Sequence, residues 1–73
     1  MTKNIREAIQ FATKKDALVA VSVIGWKRSD VRDIEIMGFR LWSIMDEQCN
    51  FLTRQEFNIL ATQRAEALTP KSN

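Results

Sequence analysis

The chain has 73 residues, 45% of them apolar, with 11 basic and 9 acidic side chains, a formal charge of +2, no histidine and one cysteine. That length makes one small domain, 1–73, burying only about 60% of its unfolded surface, so stability is marginal unless a partner adds burial. The composition excludes a disordered chain. Without histidine it lacks the commonest general base and the usual catalytic triads, and its lone cysteine closes no internal disulfide and anchors no zinc site.

Thr2 or Asn4 is placed to start a first helix, with Ile5, Ala8, Ile9 and Ala12 on its apolar face and Phe11 beside it. Lys14 and Lys15 follow where a helix C-terminus favours positive charge.

The segment 17–26 reads two ways. As a strand it shows Val19, Val21 and Val23 on one face and Leu18, Ala20, Ser22, Ile24 and Trp26 on the other, and its β-branched residues favour that state. As a helix it has Asp16 as cap and Leu18, Val21 and Ile24 facing inward, with enough apolar residues left over to make it greasy almost all round. A strand would lack a good neighbour, which tips the reading to helix. Gly25 to Ser29 is a turn that brings Trp26, Lys27 and Arg28 to a corner.

The organising stretch is Asp30 to Cys49. Val31, Ile34, Leu41, Trp42, Met45 and Cys49 recur at helical spacing, Gly38 shares their register, and Asp30 can cap the start. A helix over most of this span would be roughly 25–30 Å long. Gly38 costs it about 1 kcal/mol relative to alanine and marks a close crossing, a kink or a strand boundary. Cys49 continues the stripe and reads as a buried thiol.

Thr53 and Glu56 form a capping box, with Leu52 positioned as a hydrophobic staple to Phe57. Phe57, Leu60, Ala61, Ala65 and Leu68 give the last helix its inner face. Thr69 and Pro70 stop it, and 70–73 is a frayed tail. The expected fold is therefore mainly α: three to four short helices around a central helix 30–49, with an α+β fold carrying a strand at 17–26 as the alternative.

The chemistry is sparse. Asp46 and Glu47 are neighbours and so share no helical face, as are the closely spaced Asp33 and Glu35. The run from Asp46 to Glu56 lacks the alternating oxygens of a calcium loop, and neither glycine opens a phosphate loop. The expectation is a non-enzymatic chain with no cofactor and no metal. The most apolar run, 17–26, is too short to span a bilayer, and no signal peptide is visible, so the reading is soluble and cytoplasmic.

Charge is uneven: residues 1–32 hold seven basic and three acidic groups, and residues 33–73 hold four and six. The candidate contact residues are Trp26, Lys27, Arg28, Arg32, Lys14 and Lys15. A Trp beside basic side chains suits an acidic protein surface or a nucleic acid. The leading function is a small protein-interaction or regulatory module, self-association included. The alternative is a DNA-binding regulator using the corner Lys27, Arg28 and Arg32, with a weak helix-turn-helix whose second helix follows Asp30.

Overall fold

Two neighbouring residues decide the centre of the chain. In the computed structural model, which describes residues 2–68, Met37 has φ 53° and Gly38 has φ 82°. Two successive left-handed residues cannot continue a helix, but they are what a two-residue hairpin turn of the primed kind requires. The chain therefore folds back at 37–38. Strands β1 (Val31–Ile36) and β2 (Phe39–Ile44) pair antiparallel, Ile36 opposite Phe39 at the turn and Val31 opposite Ile44 at the base. Helix α1 (Lys14–Val23) and a single 3-10 turn at Arg28–Asp30 precede the hairpin, and helix α2 (Arg54–Leu68) follows it.

This overturns the expected helical bundle. The protein is a small α+β domain with two helices and a two-stranded antiparallel sheet. The central helix 30–49 does not exist: its span is the hairpin and the loop after it. Nor is there a strand at 17–26, since α1 covers that segment as far as Val23. Asp30 caps no helix; its carboxylate accepts the Lys27 N–H at 3.0 Å across the 3-10 turn. Cys49 is not buried but exposed, in a loop, with φ 63°.

The hairpin is apolar on both faces, so each face needs a cover. On one face stand Val31, Asp33 and Glu35 with Arg40, Trp42 and Ile44. Here Ile44 packs with Ala20 and Val21 of α1, with Ile24 just past its end, and with Ile9 and Leu52. On the other stand Arg32, Ile34 and Ile36 with Phe39, Leu41 and Ser43. Ile34 meets Ala8 and Phe51, with Ile5 and Met45 around them.

The N-terminal arm is not the helix expected there. Its side chains bind its own backbone instead: the Asn4 N–H donates to Thr2 Oγ1 and the Arg6 N–H to Asn4 Oδ1, both at 3.0 Å. Such local bonds compete with helix formation. The arm then runs extended, bonding to Phe51 at Thr2, to Leu52 at Ile9 and to Trp42 at Phe11.

Both helix starts are capped. Thr13 Oγ1 accepts the Asp16 N–H at 3.2 Å, so Thr13, rather than Asp16, opens α1. Thr53 and Glu56 form the expected capping box: Thr53 Oγ1 accepts the Glu56 N–H at 3.2 Å and Glu56 Oε1 accepts the Thr53 N–H at 3.4 Å. Leu52 and Phe57 lie in one apolar cluster, as a staple would place them. The inner face of α2 is covered only in its first half, by half-buried Phe57, Leu60 and Ala61, while Leu68 is 67% exposed. The expected stop at Thr69 and Pro70 and the tail 70–73 lie outside the described residues.

Two substitutions test this packing. Met37→Asn puts the residue preferred for the first left-handed position before Gly38 and should raise stability by about 0.5–1 kcal/mol. Ser43 is fully buried and its hydroxyl meets no hydrogen-bond partner among the described residues. Ser43→Ala removes that unpaired group and should add about 1 kcal/mol, read as a higher urea midpoint at unchanged m.

Candidate functional site

Helix α1 is the most apolar helix of the chain, and the sheet covers just one side of it. Ala17, Ala20 and Val21 are buried against the hairpin, which leaves Val19 58% and Val23 48% exposed one turn apart on the outer side, with half-buried Leu18 beside them.

The end of α1 brings the next wall into place. Gly25, at φ 76°, takes the left-handed conformation that closes a helix. The Trp26 N–H donates to the Val21 carbonyl at 2.9 Å and the Gly25 N–H to the Ser22 carbonyl at 3.1 Å, a Schellman pair. The chain reverses there, so Trp26 returns beside α1, half-buried against Val21, and Arg28 follows. From α2, Arg64 lays its guanidinium against Gly25, where only the missing side chain leaves room. A cation there also faces the negative end of the α1 dipole.

The result is an open groove. Leu18, Val19, Val23 and Trp26 supply its apolar lining, Lys15, Arg28 and Arg64 supply its charge, and no carboxylate among the described residues lines it. A second depression lies on the other side of Trp26, lined by Lys27 together with Asp30, Asp46, Glu47 and Gln48, so its charge is mixed.

The structure thus divides the six candidate residues. It brings Lys15, Trp26 and Arg28 to one groove. Lys27 sits in the mixed depression instead. Lys14 lies elsewhere, its Nζ 5.6 Å from the centre of the Trp42 ring, a cation–π contact. Arg32 is on β1, where its guanidinium donates to the Ser29 carbonyl at 2.6 Å. Lys14 and Lys15 open α1 rather than close a first helix. The imagined helix-turn-helix is absent as well, since the residues after Asp30 form β1.

The groove also holds residues outside the candidate set, Leu18, Val19, Val23 and Arg64 among them. Val19 and Val23 had a signal, the excess of apolar residues over what one buried helix face can use. Arg64 had none: it is far from Gly25 in sequence, and nothing in its neighbourhood marks it.

Among the described residues no group of three or more carboxylate or thiol side chains is placed to hold a metal, and no helix is long and apolar enough to cross a membrane. No family model matches the chain, and neither a curated protein nor a solved structure matches it.

Gly25→Ala tests the geometry of the groove. An alanine forced to positive φ should cost about 1–2 kcal/mol. The Arg64 guanidinium can swing aside at little cost, so the loss should be nearly the same in an Arg64→Ala background. A thermal double-mutant cycle reads this, with a coupling close to zero expected.

Proposed function

We propose that this chain is a non-enzymatic protein-interaction module whose groove takes an amphipathic, acid-flanked segment of a partner protein. The observation that carries the proposal is the exposure of Val19 and Val23 beside Trp26, in a groove also lined by three cations and, among the described residues, by no carboxylate.

The two halves of that observation select the same occupant. The valines gain from apolar contact: covering roughly half of each side chain contributes about 1 kcal/mol apiece. Lys15, Arg28 and Arg64 gain from negative charge at the rim, which also speeds encounter. A peptide helix with apolar residues one turn apart and carboxylates on its flanks supplies both, the helix-in-groove mode of recognition. A small chain with a thin core also gains stability whenever a partner covers an apolar face.

The DNA reading has weaker support. A duplex would meet the cations but leave both valines in water. Of the corner Lys27, Arg28 and Arg32, Arg28 alone lines the groove, and Lys27 is surrounded by Asp30, Asp46 and Glu47.

The test uses the full chain, tagged, against lysate, with light scattering on the recovered complex. Val19→Ser with Val23→Ser should weaken capture of the bound protein by tenfold or more at unchanged circular dichroism. Arg28→Glu with Arg64→Glu should also weaken it, and the captured segment should be acidic. The proposal fails if neither pair changes capture. It also fails if the chain binds a DNA duplex at low salt, loses that binding on Lys27→Ala with Arg28→Ala, and is indifferent to the valine pair.

A further inference from the structure

The outer edge of β2 is covered from Trp42 to Ile44. Trp42 exchanges backbone hydrogen bonds with Phe11 at 2.8 and 2.9 Å, and the Ile44 carbonyl accepts the Leu52 N–H at 3.0 Å. In an antiparallel pair, residues directly opposite one another either both turn their N–H and C=O inward or both turn them outward. Trp42 and Ile44 turn theirs outward, so their cross-strand partners Asp33 and Val31 do so on the far edge, and Glu35 follows by alternation. On that far edge no backbone partner meets Asp33 or Glu35 among the described residues. The hairpin is thus covered at the base of its β2 side and open at Asp33 and Glu35 on the other.

The side chains along the open edge say what would close it. Asp33 and Glu35 are exposed and lie on the same face of the sheet. The opposite face carries Ile34 and Ile36, continuing at the turn into Phe39, 71% exposed, and Met37, 86% exposed. Across β2, Glu35 has Arg40 opposite and Asp33 has Trp42. Pairing with a second copy of β1 is disfavoured. Antiparallel registers that use the outward groups of both residues set Asp33 against Asp33 or Glu35 of the copy, and like charges directly opposite are destabilising.

We propose that the free edge of β1 accepts an extended segment of a partner protein as a third strand, a segment that alternates basic and apolar residues. Its backbone bonds to the outward groups of Asp33 and Glu35. Its lysine or arginine side chains stand opposite those two carboxylates, and its apolar side chains lie beside Ile34 and Ile36, towards Phe39. This is strand addition, in which the main chain gives affinity and alternate side chains give selectivity. A two-stranded sheet is a marginal structure, so a third strand also stabilises the host. The site shares no lining residue with the groove on α1 and does not depend on it.

The probe is a blocked heptapeptide alternating lysine and valine. Two controls accompany it: the glutamate–valine peptide, and the lysine–valine peptide N-methylated along its bonding edge. The readout is amide hydrogen exchange and chemical shift on the full chain. The lysine peptide should slow exchange at the Asp33 and Glu35 amides, and neither control should. Asp33→Asn with Glu35→Gln should weaken binding by about 2- to 30-fold, the range for two cross-strand charge pairs. Asp33→Lys with Glu35→Lys should reverse the preference towards the glutamate peptide. Val19→Ser with Val23→Ser should change none of this, which separates the edge from the groove. Equal binding of the lysine and glutamate peptides, undiminished binding of the methylated one, or unchanged exchange at 33 and 35 would overturn the proposal.

Discussion

Leu52 is the point at which the separate pieces of this small domain are tied together. Its N–H donates to the Ile44 carbonyl at the base of the hairpin, and its carbonyl accepts the Ile9 N–H from the arm at 2.8 Å. Its side chain is fully buried between α1 and the sheet. One residue thus joins β2, the arm and the start of α2, with Thr53 opening that helix immediately afterwards. The bonds are made out of water, where leaving either backbone group unpaired would cost on the order of a lost hydrogen bond.

That junction divides the core in two. Ile44, Val21 and Leu52 lie on the α1 side of the hairpin, and Ile34, Ala8 and Phe51 on the arm side. Neither half is large, and none of the described residues of α2 is fully buried. The chain spends its apolar residues covering a two-stranded sheet twice over, which leaves few to cover the outside of α1. The exposure of Val19 and Val23 follows from this allocation, and so does the openness of the groove that Trp26 and Arg64 border.

What the residues disclosed beforehand was what depends on near neighbours. The Thr53–Glu56 box, the turn at Gly25 and the helical state of most of 17–26 are local, fixed by caps and a glycine within a few positions. The centre of the chain is ambiguous in sequence because Val31, Ile34, Leu41, Trp42 and Met45 fit a helical spacing as well as a bent alternating one. What separates the two is the left-handed pair at 37–38, and methionine gives no warning of positive φ as asparagine would. The arm failed for a related reason. Ile5, Ala8, Ile9 and Ala12 have a helical spacing, but the backbone bonds that draw the arm out straight come from residues 42, 51 and 52, far along the chain. The candidate site was half visible: Lys15, Trp26 and Arg28 converge, while Arg64 arrives from another helix by packing alone.

The same arm carries the most sequence-distant backbone bonds among the described residues. Beyond its own local turn, the arm has no backbone partners until Trp42, Phe51 and Leu52 have been made, because its long-range bonds are to those residues. Closing so long a loop costs entropy before any contact repays it, and such contacts slow folding. A nascent chain can form α1 and the hairpin, both local, while one face of that hairpin stays greasy and uncovered. The arm's bonds therefore carry the largest loop-closure cost, laid over local pieces that do not need them to form.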